Sequence, residues 1–390
     1  MTVLRLPAVT TALDVERLEA AAVAAAGHDD FGAPSYRDGL EILVGSLNDE
    51  AQLSELGVAA LEANITGTLT NRLRVIAWRR DHPEVADERI EAPLVVIGLP
   101  RTGTTLLSAL LGCDPHRRPL VRWESADCIP PPETATFHTD PRIEATRAGM
   151  TMLDALNPGF KAIHYDPADG PTECVTLLAQ HFVSTLWETL ANMPAYGEWL
   201  LAVDESDAYA YHHDVLQVLQ SRAPGRWSLK SPHHGLAVRE LRAQYPDARV
   251  VVTHRDPVTV IASVCSLIQS LSSTFSDADH TKYIAAHWPE VAEVIVTRIG
   301  EFRDVHGDDG FLDVQYPDLM ADPIGVVRAV YAWEGTDYTP EAEAAMRAYM
   351  ADNQQGKFGR HEYSLEPFGL DAGALTERFA PYVERFGVRS

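Results

Sequence analysis

The segment Leu94-Val95-Val96-Ile97-Gly98-Leu99-Pro100-Arg101-Thr102-Gly103-Thr104-Thr105 constrains this chain more than any other. Leu94 to Ile97 is a continuous apolar run, the pattern of a strand buried on both faces of a parallel sheet, and Thr104 to Leu111 reads as a helix. Gly98 and Gly103 therefore bracket a strand-to-helix turn. Backbone N–H groups in such a turn, backed by the positive end of the helix dipole, make an anion site that needs no cationic side chain. Against the phosphate-loop pattern G-x-x-x-x-G-K-[ST], both glycines and Thr105 match, but Thr104 stands where a lysine would reach the β- and γ-phosphates. The cation has moved to Arg101, inside the loop. Glycines placed for tight strand–helix packing alone would leave the same trace.

Composition narrows the partners. A formal charge of −24 over 390 residues argues against nucleic acid or an anionic membrane surface, since both need a positive footprint. Any anionic ligand must be met by local positive charge. Apolar residues make up 46% of the chain, ample for a core of this size. Cys113, Cys128, Cys174 and Cys265 lie far apart without a C-x-x-C pair, so they read as reduced, buried thiols rather than a zinc site or a disulfide framework. No leader-like start and no run of about 18 apolar residues is present, and the expectation is a cytoplasmic protein without a transmembrane segment.

Residues 1–90 are expected to form a helical N-terminal region or lid, with helices over Leu13 to Ala26, Tyr36 to Leu47, Glu50 to Glu62 and Thr68 to Arg80. Residues 91–390 are expected to form the core. Strand patterns recur at Trp227 to Leu229, Arg249 to Thr253 and Phe311 to Gln315, each followed by a helical stretch, which implies a parallel sheet covered by helices on both faces. Within the core, residues 139–220 read as a helical insertion rich in aromatics: Phe160, Tyr165, Phe182, Trp187, Tyr196, Trp199, Tyr209 and Tyr211. Their spacing makes most of them core residues, with an acceptor pocket as the other use. Pro130-Pro131-Pro132 keeps the segment before it extended.

Two further strand ends carry cations. Arg249 to Thr253 runs into His254-Arg255-Asp256-Pro257, where Asp256 suits a helix N-cap and Pro257 the first helical position; that helix carries Ser263. Arg255 would then lie at the carboxyl edge of the sheet, where open α/β folds bind ligands. Trp227-Ser228-Leu229-Lys230 puts Lys230 at the end of another strand. Arg101, Lys230 and Arg255 are thus presented to one edge of one sheet. Gly356-Lys357-Phe358-Gly359-Arg360-His361 is a basic glycine-containing loop in an otherwise acidic chain. His254-Arg255-Asp256 also matches a kinase catalytic tripeptide, but neither a kinase glycine loop nor the strand lysine accompanies it.

Together these residues resemble the family of sulfotransferases that use 3′-phosphoadenosine 5′-phosphosulfate (PAPS), with closer similarity to bacterial relatives of the tyrosylprotein enzymes than to the cytosolic phenol and steroid enzymes. The resemblance spans Leu94 to about Gly369 and implies a P-loop-type nucleotide-binding fold in three layers, αβα. It implies that Arg101, Thr102, Gly103, Thr104 and Thr105 hold the 5′-phosphosulfate, and that Arg255, Ser263, Lys357 and Arg360 hold the 3′-phosphate. Glu124, in Arg122-Trp123-Glu124-Ser125, would be the general base, with Lys230 at the reacting sulfate. His234, or its neighbour His233, is the alternative base. An ion pair for Glu124, and capping or packing for the histidines, are the structural alternatives. No metal is called for, the product would be adenosine 3′,5′-bisphosphate (PAP), and the acceptor would be a hydroxyl of a small molecule, sugar or lipid. The competing readings are a P-loop phosphotransferase, against which Thr104 speaks, and a non-catalytic nucleotide-binding protein.

Overall fold

The structure, a computed structural model, describes residues 12–163, 167–354, 357 and 362–389. Five parallel strands form its centre: β1 (Leu94–Gly98), β2 (Arg117–Pro119), β3 (Arg226–Lys230), β4 (Arg249–His254) and β5 (Phe311–Gln315). Their spatial order is β2-β3-β1-β4-β5, so the glycine loop leaves the middle strand. Register places Val96 beside Lys230 and Gly98 beside Thr253.

Alternation along β1 builds the two outer layers. Leu94 and Val96 point into one apolar cluster with Leu107, Leu110 and Leu111 of the helix after the loop, and with Leu319, Ile324, Val327 and Met346. Val95 and Ile97 point into the other, which continues through Leu229, Val250 and Val252 into the N-terminal helices. Both faces of the strand are sealed from water. The result is the three-layer αβα arrangement expected from the apolar runs.

Three N-terminal helices belong to that second cluster: α1 (Val15–Ala26), α2 (Tyr36–Asp49) and α3 (Glu55–Asp81). The two helices expected over Glu50 to Glu62 and Thr68 to Arg80 are one continuous helix, α3. Ser54 caps it by accepting a hydrogen bond from the Gly57 N–H. Leu61, Ile65, Leu69 and Leu73 lie four apart on one buried stripe, and that packing carries the helix through Gly67.

Strand β2 has no apolar run to betray it. Arg117 and Arg118 are buried there because each finds a carboxylate, Arg117 with Glu334 and Arg118 with Glu124. Phe182, Trp187, Tyr196, Tyr209 and Tyr211 of the insertion are core residues, while Phe160 and Trp199 pack at its margin and Tyr165 lies outside the described residues. Among the described residues no helix is long and apolar enough to cross a membrane.

The close approach of β1 to β4 at the loop can be tested by adding one carbon. A Cβ on Gly98, whose φ is +137°, would lie 2.5 Å from the Thr253 carbonyl oxygen, whereas one on Gly67 meets nothing within 4 Å. Gly98→Ala is expected to destabilise the fold by about 3 kcal/mol or more, and Gly67→Ala to stabilise it by about 0.5–1 kcal/mol. Thermal or urea unfolding of the two variants checks both.

Candidate active site

The loop between β1 and the helix Thr104–Leu111, here α4, is held open by backbone that side chains rarely adopt. Arg101 has φ +69° and Gly103, the residue capping α4, has φ +90°. A Cβ on Gly103 would lie 2.8 Å from Leu319, so the position requires glycine on two counts. Thr102 turns inward rather than toward a ligand. Its Oγ1 lies 2.6 Å from the Leu99 carbonyl oxygen and 2.6 Å from Thr253 Oγ1, tying the loop to β4. Thr104 is also buried, and Thr105 is exposed at the helix start. The first N–H groups of α4, which have no acceptor within the helix, face out of this loop.

Three of the expected donor-binding side chains meet here. Arg101 Nε donates to Ser263 Oγ at 3.1 Å, and an Arg255 nitrogen donates to the Arg101 carbonyl oxygen at 2.8 Å. Asp256 caps the helix that carries Ser263 by accepting from the Thr259 N–H, with Pro257 in its first turn. Two tyrosines that local sequence did not flag complete the cluster. Tyr316 lies under the Arg255 guanidinium, 4.1 Å from ring centre to carbon, and Tyr363 OH accepts from Arg255 at 3.3 Å.

Among the described residues no carboxylate forms an ion pair with Arg101 or Arg255, although both are half-buried in a strongly acidic chain. Burial holds the Arg101 guanidinium below its usual range, and the nearby Arg255 charge adds to that effect. Two cations held together at a helix N-terminus are an electrostatic deficit that a bound polyanion would relieve.

Lys230 is buried, and its Nζ donates to Glu173 Oε1 at 2.8 Å. Glu173 retains partial exposure and its charge acts on Arg101, so it is the carboxylate found at this edge of the sheet. Nothing in Pro171-Thr172-Glu173-Cys174 marks it locally; its signal is the tertiary contact with Lys230, 57 residues away.

Glu124 is placed otherwise than a general base would be. Both its oxygens accept from Arg118, at 2.8 and 2.6 Å, and Oε1 also accepts from the Val121 N–H at 3.0 Å. None of its surface is exposed. Arg118 is itself fixed by the Ala223 and Leu219 carbonyls and lies over the Trp227 ring. Held by Arg118 and the Val121 N–H, the Glu124 carboxylate ties β2 to the turn that follows it.

The two histidines are likewise enclosed. His233 Nδ1 accepts from the Thr185 N–H, which leaves Nε2–H to donate to Glu205 at 2.7 Å. His234 has no exposed surface and shares a 2.7 Å hydrogen bond with Tyr209 OH, facing the core of the insertion. Neither reaches the loop cations through any of these bonds. Lys357 Nζ donates to the Asp352 carbonyl oxygen at 2.9 Å, at the end of the helix Pro340–Asp352, and Arg360 lies outside the described residues.

A sequence model described as the sulfotransferase family matches residues 93–340. The crystal structure of sulfotransferase STF9 from Mycobacterium avium is 35% identical, with a TM-score of 0.89 over 98% of each chain. That of sulfotransferase STF1 from Mycobacterium tuberculosis H37Rv is 35% identical, with a TM-score of 0.85 over 95% of this chain and all of that one. The omega-hydroxy-beta-dihydromenaquinone-9 sulfotransferase Stf3 of Mycobacterium bovis is 23% identical over 76% of this chain and 75% of its own length.

The assignment of Glu124 to a buried ion pair makes a stability prediction. Glu124→Ala strands the Arg118 guanidinium in the interior and is expected to cost about 3–5 kcal/mol. A urea midpoint unchanged from the parent would return Glu124 to a role in chemistry.

Proposed function

The chain belongs to the sulfotransferase family, and from that premise and its loop cations we propose that it transfers a sulfuryl group from PAPS to the hydroxyl of an apolar, lipid-like acceptor. The observation that carries the reading is the cluster of Arg101, Arg255 and Ser263 at the start of α4, where among the described residues neither arginine has an ion-paired carboxylate, an arrangement suited to the two phosphates of the donor. An ATP-type loop would place a lysine where Thr104 stands, which disfavours a phosphotransferase.

The donor supplies an activated sulfuryl group on a 5′-phosphate leaving group. Arg101 and the α4 N–H groups receive that end, while Arg255, Ser263 and Tyr363 hold the 3′-phosphate and so set the donor's register. Lys230 faces the bond that breaks. As the acceptor oxygen–sulfur bond forms, the electron pair of the departing sulfur–oxygen bond passes to the 5′-phosphate, where Lys230 and Arg101 stabilise it. Glu173 takes the acceptor proton. We assign the base to Glu173 in place of Glu124 because Glu173 shares the Lys230 ammonium and is partly open, whereas Glu124 is sealed. Arrival of the donor gives Lys230 a second anion to serve, loosening its hold on Glu173 as the base is needed.

Two features support an apolar acceptor. Arg101 donates to the Ile163 carbonyl oxygen at 2.9 Å, which brings the helix Phe160–Ile163 against the loop. The preceding helix Arg142–Leu156 exposes Met152 and Leu156, apolar surface on the segment just before it. The relative named for a menaquinone substrate fits the same class.

Arg255→Ala is expected to weaken PAP binding about 10- to 100-fold with little change for 5′-AMP, measured by titration calorimetry. Equal losses for the two nucleotides would remove Arg255 from the 3′-phosphate. Glu173→Gln should lower kcat by about 10²- to 10⁴-fold while PAP affinity stays near that of the parent. Near-normal turnover in an assay with labelled PAPS would displace Glu173 as the base.

A further inference from the structure

Cys174, His212 and His234 come from three separate elements and converge behind the strand end that carries Lys230. His212 lies on the helix Ser206–Gln220, His234 in the turn Pro232–Gly235, and Cys174 just ahead of the helix Val175–Leu178. One potential ligand atom from each lies within 4.8 Å of the others, and all three residues have no exposed surface. We propose that these three side chains bind a d¹⁰ metal ion, Zn²⁺ or Cu⁺, as a structural site separate from sulfuryl transfer.

The ring nitrogens make the argument. His212 Nδ1 is 2.7 Å from Tyr245 OH and His234 Nδ1 is 2.7 Å from Tyr209 OH, while both Nε2 atoms are buried without a hydrogen-bond partner among the described residues. When each Nδ1–H donates to its tyrosine, each Nε2 keeps a bare lone pair in the cluster that holds the thiol. That is how metal-binding histidines are oriented, with the distal nitrogen fixed by a neighbour. An orphaned buried nitrogen costs about 1–3 kcal/mol, and a shared metal partner would satisfy both. Burial holds both imidazoles neutral at pH 7, His212 down to about 3 and His234 well below its usual value.

A thiolate with two imidazoles is the donor set of borderline and soft ions, not of Mg²⁺ or Ca²⁺. Metal–nitrogen and metal–sulfur bonds of about 2.0 and 2.3 Å would draw the set in by about 1 Å at its widest pair. Burial pushes the Cys174 thiol up to about 12, so the entering cation displaces its proton to solvent and uptake releases one proton. With Cu⁺ the bound set is neutral; with Zn²⁺ it carries one positive charge. The Cys174 N–H donates to the Lys230 carbonyl oxygen at 3.0 Å, so a bound ion would brace the segment that carries Glu173.

The test uses the full chain purified under thiol reductant from cultures supplemented with zinc, copper or cobalt, followed by elemental analysis. The expected result is about one equivalent of zinc or copper per chain, lost in Cys174→Ala and His212→Gln. Cobalt-grown protein should show a thiolate-to-cobalt charge-transfer band, a readout on the parent chain that does not depend on the variants folding. Substoichiometric metal in every culture, metal retained by Cys174→Ala, or a cobalt spectrum without the thiolate band would overturn the site. The zinc and copper arms decide which ion it takes.

Discussion

The approach of β1 to β4 at Gly98 and Thr253 is the contact on which the rest depends. Register sets these residues side by side, and the Thr253 oxygens lie where any larger side chain at Gly98 would stand. Thr253 Oγ1 bonds to Thr102 Oγ1 and donates to the Ile97 carbonyl oxygen, so the loop is bound to its neighbouring strand before it turns into α4. That tie, with the Arg255 bond to its carbonyl oxygen, helps hold Arg101 at a positive φ. The Arg101 carbonyl then faces Arg255, and the second cation is drawn to the first through backbone rather than charge.

Several buried arginines are matched to acids, Arg117 with Glu334, Arg118 with Glu124, and Arg303 with Asp308 and Asp313, whereas buried Arg72 is held by the Phe31, Ala33 and Gln180 carbonyl oxygens. Asp313 is partly buried, which raises its carboxyl, but bonds from His254 and Arg303 outweigh this and hold it well below the usual range. Arg101 and Arg255 are left without such partners among the described residues. In a chain of net charge −24, two adjacent cations without an ion-paired carboxylate among the described residues leave a local positive potential that favours an anion.

Local pattern located much of this. The apolar runs at β1, β3, β4 and β5, the glycine spacing, and the Asp256-Pro257 helix start all act within a few residues, and the structure has them where the sequence implies. Strand β2 escaped because its buried arginines read as surface until Glu124 and Glu334 are known to be beside them. Helix α3 was read as two because composition changes near Gly67, while packing of Leu61 through Leu73 decides its continuity.

Sequence alone determined the strand–loop–helix unit, the family it resembles and the edge of the sheet where Arg101, Lys230 and Arg255 gather, since each is a matter of short spacing or strand-end position. Tertiary structure decided the surroundings of the carboxylates and histidines. Glu124 is sealed by Arg118, Glu173 is brought to Lys230, and His234 faces Cys174 and His212. Whether a carboxylate or an imidazole works as base, ion-pair partner or ligand depends on what lies within about 3 Å of its polar atoms; Glu124 meets Arg118 only six residues away, whereas Glu173 meets Lys230 across 57 residues through the fold.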